Sequence, residues 1–253
     1  MQISIVTAVF NRADTIADAL RSIEAQSYRS VEHIIQDGGS TDGTLEVIRQ
    51  FSASSRRLVS EPDSGIYDAI NKGIFRASGD IIGLMHSDDF FADDLVLQKI
   101  AEAFRDPEVD GAYGDLDYVS SSNTDKIVRR WRSEPYRADL LKRGWMPPHP
   151  TLYLRREVFD RWGLYDTSMS IAADYEAMLR YFVKGDIRAA YIPNVLVKMR
   201  VGGESNRSLS RILRKSREDY IALRRHGVGG IPTLLAKNLS KLEQFLPSKG
   251  TRK

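Results

Sequence analysis

Two adjacent carboxylates, Asp88 and Asp89, sit in the run Gly83-Leu84-Met85-His86-Ser87-Asp88-Asp89-Phe90-Phe91. The residues before them, Asp80 to Met85, read as a buried strand, so the pair faces a loop at the strand's carboxyl end. Two carboxylates held side by side there cost free energy unless positive charge offsets them. Oxygen ligands of this kind suit a hard divalent cation, and such a cation commonly bridges to substrate phosphates. Asp37 ends an earlier strand-like run and should face the same crevice. Its carboxylate can accept a hydrogen bond from the N–H of uracil or guanine, or it can open an Asx turn into Gly38-Gly39. Asp42 is expected to cap the helix that follows.

The elements that must hold these groups alternate in type. Residues 2–8 are rich in strand formers, and Thr15 to Ala25 carries Ile16, Ala19, Leu20 and Ile23 at the helical period. Val31 to Gln36 is a second strand, Thr44 to Phe51 a short helix, and Arg57 to Ser60 a third strand. Ile66 to Ala77 is a helix with Ile66, Ala69, Ile70, Gly73 and Ile74 on one face, closed by Gly79. Strands separated by helices of this length argue an α/β fold with a mostly parallel sheet. Ligands of such sheets lie outside the carboxyl ends of the strands. Residues 9–11, Asp37 and Asp88–Asp89 should therefore meet on one rim.

The second half is less regular. Leu95 to Phe104 reads as a helix, Gly111 to Val119 as a strand, and Lys126 to Trp131 as a hairpin return across the polar turn Ser120 to Asp125. Tyr136 to Arg143 is a short helix, Ile171 to Phe182 a longer one, and Ala189 to Ile192 is strand-like. The prolines of Gly144 to Pro150 exclude regular helix there. From Glu204 onward there are 12 Lys and Arg against 4 Asp and Glu, a net of +8, whereas the preceding chain carries 25 basic and 30 acidic residues. An acidic body thus bears a basic tail. In the tail, Leu209, Ile212, Leu213, Tyr220, Ile221 and Leu223 recur at helical spacing, and after Gly227 to Pro232 a second helix carries Leu234, Leu235, Leu239, Leu242, Phe245 and Leu246. Basic amphipathic helices of this kind either lie on an anionic membrane or pack as ordinary helices with a solvated basic face.

Four segments together carry a resemblance: Ile5-Val6-Thr7-Ala8-Val9-Phe10-Asn11, then Asp37-Gly38-Gly39-Ser40-Thr41-Asp42-Gly43-Thr44, then Asp63-Ser64-Gly65-Ile66-Tyr67-Asp68-Ala69-Ile70-Asn71-Lys72-Gly73, then Ser87-Asp88-Asp89. In this order they resemble the family 2 inverting glycosyltransferases of the GT-A fold, of the type that builds bacterial polysaccharides and glycolipids. The resemblance covers about 1–205, with a nucleotide-sugar half to about 118 and an acceptor half from 119 to 205; 206–253 is the basic helical tail. It implies that Thr7, Ala8, Val9 and Asn11 line base and ribose, that Asp37 reads the base, and that Lys72 reaches a phosphate. Asp88 and Asp89 would hold Mn2+ or Mg2+, with Asp88 also touching the nucleotide. Relatives of this type carry Asp or Asn where this chain has His86, which is either a spectator or an imidazole ligand. Asp174 matches the family's acidic motif at a helix start and would act as the general base, with Glu176 as the alternative. Tyr67, Asp68, Asn71 and His149 are expected at the donor or acceptor pocket. For His149 a hydrogen-bonded structural role is the alternative. The segment Arg200 to Ser205 either closes over the diphosphate or simply leaves the domain.

The expected reaction moves a sugar from a nucleoside diphosphate sugar, UDP-linked by preference, to a saccharide or lipid-linked hydroxyl. A nucleotidyltransferase that makes activated sugars would share the sheet and metal logic. Such enzymes carry a glycine-rich basic loop straight after the first strand, and Ala8 to Arg12 holds no glycine. A non-catalytic nucleotide-sugar binder is the other alternative. No nucleic-acid platform is present. Cysteine is absent, the chain enters a strand at once, and no apolar run approaches a membrane span, which leads us to expect a cytoplasmic protein, peripheral at the inner face of the plasma membrane if the tail binds lipid.

Overall fold

The computed structural model describes residues 1–51, 55–201 and 209–243. The first half alternates as expected: β1 (Ile3–Val9), α1 (Ile16–Glu24), β2 (Val31–Asp37), α2 (Thr44–Gln50), β3 (Arg56–Ser60), α3 (Ile66–Arg76) and β4 (Ile81–Leu84). Then follow β5 (Phe90–Phe91), α4 (Val96–Ala103), β6 (Gly111–Val119), β7 (Ile127–Trp131), α5 (Ala138–Lys142), β8 (Tyr153–Arg155), α6 (Arg156–Trp162), α7 (Ala173–Leu179) and β9 (Ala189–Arg200). The chain ends its described part with α8 (Leu209–Arg225) and α9 (Ile231–Glu243).

The strands form one sheet in the order β3-β2-β1-β4-β8-β6-β9-β5, with β7 paired to β6. β3, β2, β1 and β4 are parallel, as the βα alternation requires. The other half is mixed: β8 runs antiparallel to both β4 and β6, while β6 and β9 run parallel. Alternate residues feed two cores. Ile3, Ile5 and Val9 face α1, α2 and α4, whereas Val6, Ile82 and Leu84 face α3, α6 and α7. A Cβ on Gly73 would collide with Val6, so the missing side chain lets α3 lie close over β1.

The strand expected at Ala189–Ile192 runs on to Arg200. Pro193, with no N–H to give the ladder, and Asn194 are skipped in the register between Ile192 and Val195. Pairing with β6 resumes beyond this bulge. The helix expected over Ile171 to Phe182 is α7 followed by a wider π turn at Arg180–Lys184.

The two C-terminal helices follow a simple apolar reading only in part: Leu223 and Leu234 pack on the core. On α8 the buried residues are Asp219, Ala222 and Leu223, with His226 buried just beyond it, while Ile212, Leu213, Tyr220 and Ile221 are exposed. Ala222 and Leu223 join the core that contains α7. On α9, Thr233 and Lys237 are buried, and Ile231, Leu235 and Leu239, at i, i+4 and i+8, face solvent. Lys237 Nζ lies 2.8 Å from Asp219 Oδ1 and 3.1 Å from the centre of the Tyr175 ring. Lys215 adds a second cation at 3.0 Å. Burial opposes ionisation of Asp219, but the two lysines hold its carboxyl below the usual range. Phe245 and Leu246, expected on the apolar side of the last helix, lie outside the described residues.

Candidate active site

The parallel register places the expected residues on one rim. Val9 pairs with Asp37, and Met85 N–H donates to Val6 C=O, so the ends of β2 and β4 flank the end of β1. Asp37 and the loop after β4 are thus roughly two strand spacings apart, about 10 Å.

Asp37 builds the turn considered for it through one oxygen and leaves the other without a partner. Oδ2 accepts from Gly39 N–H (2.9 Å), Ser40 N–H (3.0 Å) and Ser60 Oγ–H (2.6 Å), which builds the turn. Oδ1 is buried with no hydrogen-bond partner. A buried acceptor left unpaired is costly, and a ligand N–H would satisfy it. Next to it, a Cβ on Gly38 would collide with the Asp63 carboxylate and touch the Phe10 ring. Phe10 is 56% exposed, an aromatic face open beside Asp37 that sequence reasoning did not single out. Asn11 adopts φ 50°, accepts from Thr41 N–H at 2.9 Å and ties the two loops together. Asp42 binds Thr44 N–H at 3.0 Å at the start of α2. The Thr7 side chain is turned inward: Oγ1 pairs with His33 Nε2 at 2.9 Å, and burial drops His33 to about 3, so that imidazole stays neutral. Ala8 is half-buried against the core and Val9 is buried, so this segment offers a ligand mainly its backbone.

The acidic pair divides. Asp88 is half-buried, whereas Asp89 has no exposed surface. Asp89 Oδ1 accepts Arg200 N–H at 3.1 Å, and Oδ2 is buried and unpartnered. Burial first, then the neighbouring Asp88 charge, push the Asp89 carboxyl well above its usual range. Arg200, expected to serve a diphosphate, is instead a strut. Its guanidinium donates to Asp88 C=O at 2.6 Å, pairs with Asp18 of α1 and lies over the Phe90 ring. The remainder of that expected loop, Gly202 to Ser205, lies outside the described residues. Among the described residues, no three His, Asp or Glu side chains form a group able to hold a metal. Asp88 with its orphaned neighbour nevertheless fits a divalent cation that takes its other ligands from phosphate and water.

On the other side of the site, α7 presents Asp174, which is half-buried. A line of contacts joins it to the acidic loop. The His86 and His149 rings are 6.1 Å apart, and His149 Nε2 is 2.9 Å from Tyr165 Oη. The Tyr165 ring stacks on Tyr67 at 5.8 Å, and Tyr67 O–H donates to Asp174 Oδ1 at 3.2 Å and to Ile171 C=O at 2.8 Å. Burial lowers His86, against the opposing pull of Asp88 and Asp174, and lowers His149 to about 4. Both are therefore neutral near pH 7, and His149 is hydrogen-bonded to Tyr165. Tyr165 lies in no motif, and no signal in the sequence marked it.

Three residues of the α3 segment, Asp68, Asn71 and Lys72, make contacts within the fold. The Asn71 amide bonds the Tyr165 backbone twice, accepting its N–H at 3.0 Å and donating to its C=O at 2.8 Å. Lys72 pairs with Asp68 at 3.2 Å and donates to Pro62 C=O at 2.8 Å, so its charge already has an acidic partner. Asp68 also accepts Ser64 N–H at the start of the helix. Glu176, the alternative base, is buried between His226 (2.8 Å) and Arg180 (3.0 Å). Burial opposes its ionisation, but these partners prevail and hold it at about 2. It is an ion-pair anchor.

Comparison with known proteins accords with this layout. The family model for glycosyl transferase family 2 matches residues 4–164. A protein from Mycobacterium tuberculosis described as an uncharacterised glycosyltransferase is 32% identical over 183 residues, spanning 70% of this chain and 68% of the relative. A PGL/p-HBAD biosynthesis glycosyltransferase from Mycobacterium bovis is 30% identical over 210 residues, 80% of this chain and 78% of the relative. Among solved structures, S. aureus TarS in complex with UDP-GlcNAc superimposes with a TM-score of 0.70 at 17% identity, covering 99% of this chain and 75% of that one. The mannosyltransferase PcManGT from Pyrobaculum calidifontis, in complex with GDP-Man and Mn2+, gives 0.66 at 19%, covering 96% and 72%. At these identities the structural likeness speaks for the fold, an α/β arrangement of the GT-A type.

Proposed function

The chain belongs to glycosyl transferase family 2 and is a glycosyltransferase, and from that premise we propose an inverting, metal-assisted transfer from a nucleoside diphosphate sugar to a hydroxyl of a saccharide or lipid-linked acceptor. Membership sets aside the nucleotidyltransferase alternative. The observation that carries the reading is the unbroken line from the acidic loop through His86, His149, Tyr165 and Tyr67 to Asp174. It joins a place for a diphosphate to a place for a base.

In this reading Asp37 Oδ1 takes the base N–H, with the Phe10 ring beside it. Asp88 would hold Mn2+ or Mg2+ directly, and Asp89 braces the loop from beneath by accepting Arg200 N–H. When bound, the cation offsets the charge of the diphosphate as it departs. Asp174 sits across from it. Oδ1 is fixed by Tyr67 O–H and by Tyr175 N–H at 2.8 Å, while Oδ2 makes no hydrogen bond among the described residues. Oδ2 takes the proton of the acceptor hydroxyl as its oxygen bonds to the anomeric carbon and the bond from that carbon to the phosphate oxygen breaks. The neutral imidazoles of His86 and His149 add no competing positive charge.

UDP is the preferred nucleotide, since TarS was seen with UDP-GlcNAc, and GDP is the alternative that PcManGT offers. The test is a thermal shift with UDP and GDP, with and without Mn2+, followed by nucleotide release from UDP-GlcNAc and GDP-mannose. At 100 times the dissociation constant a ligand adds about 2.7 kcal/mol of stability. A melting point indifferent to both nucleotides, with no release from either donor, would overturn the reading.

The outer face of α8 and α9 supports contact with an anionic membrane. Leu213, Tyr220, Ile231, Leu235 and Leu239 are exposed among the exposed Arg214, Arg217 and Arg224. No helix among the described residues is long and apolar enough to cross a membrane, so the contact would be peripheral, at the cytoplasmic leaflet. The expected result is flotation with vesicles containing phosphatidylglycerol, lost in the double variant Leu235→Glu, Leu239→Glu. Equal binding to neutral vesicles, or none to anionic ones, contradicts the proposal.

A further inference from the structure

The helix that presents Asp174 has no cap of its own. Ala172 occupies the cap position and offers no side-chain acceptor, and within the first turn Asp174 Oδ1 takes only Tyr175 N–H. The cap comes from the distant helix α8. Glu218 Oε2 accepts Ile171 N–H at 2.8 Å and Ala172 N–H at 2.9 Å, and Oε1 accepts Ser170 N–H at 3.2 Å and its hydroxyl at 3.1 Å. One carboxylate thus gathers three consecutive backbone donors immediately before the turn that carries Asp174. A negative group at that point is also favoured by the helix dipole.

The same segment is gripped from the opposite side, where Tyr67 O–H binds Ile171 C=O and Asp174 itself. Two further contacts fix α8 against this region: Arg225 to Asp166 at 2.7 Å and His226 to Glu176 at 2.8 Å. The matched family region ends at residue 164, before both halves of the Glu218 contact.

We propose that Glu218 is a positioning residue for Asp174: the C-terminal helix completes the active site by fixing the backbone from Ser170 to Ala172. The proposal rests on the reading of Asp174 as the base. Charge-assisted hydrogen bonds of this kind are the strong ones, and misplacement of a reacting group by about 1 Å can cost on the order of 10²-fold in rate. Glu218 lies behind the base and touches neither Asp37 nor Asp88, so its loss affects the chemical step and spares donor affinity.

The test measures kcat and KM for nucleotide release from UDP-GlcNAc or GDP-mannose, whichever wild type turns over, together with UDP or GDP affinity by calorimetry. Glu218→Ala, Glu218→Gln, Asp174→Asn and Lys237→Ala are compared in the full chain, at a temperature where all are folded. Lys237→Ala is the control for stability lost in the same helix pair. Glu218→Ala should lower kcat by on the order of 10²-fold with KM and nucleotide affinity unchanged. Glu218→Gln, which keeps one acceptor oxygen, should fall between it and wild type, and amide exchange at Ser170 to Ala172 should quicken in the same order. Unchanged kcat in Glu218→Ala, or a fall no larger than that of Lys237→Ala, would overturn the proposal. Should the alanine variant not fold, the glutamine variant decides by the same criterion. An active Asp174→Asn would instead remove the base on which the proposal rests, so the two failures are told apart.

Discussion

Asp174→Asn should keep the nucleotide bound and lose transfer, by roughly 10²- to 10⁴-fold, the usual worth of a positioned general base. Asparagine has nearly the shape of aspartate, and its side-chain oxygen can still accept from Tyr67 O–H and Tyr175 N–H, the two donors that fix Oδ1. Local structure should therefore survive. What goes is the second oxygen's ability to take a proton. Calorimetry with UDP or GDP checks the first half and donor turnover the second. Turnover at the wild-type rate would show that another group takes the proton. Glu176 could not be that group, because it is buried and committed to His226 and Arg180.

The second large effect concerns the acidic loop. Asp88→Ala should abolish the extra thermal stabilisation that Mn2+ gives in the presence of nucleotide, and lower turnover by at least on the order of 10²-fold. Nucleotide affinity without metal should change little, because Asp37 and the β1 rim lie at the other end of the site. The prediction separates Asp88 from its neighbour. Asp89 supports the backbone of Arg200 and has no exposed surface. A full Mn2+-dependent shift in Asp88→Ala would show that the cation is held elsewhere.

Much of this architecture is written locally. Residues 2–8 are rich in strand formers, which locates β1, and its alternate side chains feed two cores, Ile3, Ile5 and Val9 one and Val6 the other. Carboxyl ends then follow from chain direction, which is why Asp37 and Asp88 could be placed on one rim from residue order. β5 and β8 escaped because strands of two and three residues carry no period. β9 was cut short because a proline reads as an end, whereas here it marks a bulge.

Side-chain roles were legible only where partners were near in sequence. Asp42 capping Thr44 is a contact across two residues. Asn71 meets Tyr165, and Tyr67 meets Asp174, across 94 and 107 residues, and nothing local could distinguish the structural partner from the one at the reaction centre. The tail misled for a different reason. Amphipathic patterning assumes that apolar residues face inward, yet α8 docks through Glu218 and Asp219 as well as Ala222 and Leu223, while Ile212, Leu213 and Tyr220 look outward. Charge complementarity between specific partners, absent from any periodicity, decided which side is inner.

The buried ammonium of Lys237 has a mechanical meaning. Sliding α9 by one residue would turn it by about 100°, carrying Nζ off both Asp219 and the Tyr175 ring. A charge stranded in that way costs about 3–5 kcal/mol. The hairpin of helices is thus keyed into the body like a bolt in a slot and cannot creep. Whatever grips its outer side must turn the entire molecule, and so dictates which way the catalytic mouth points.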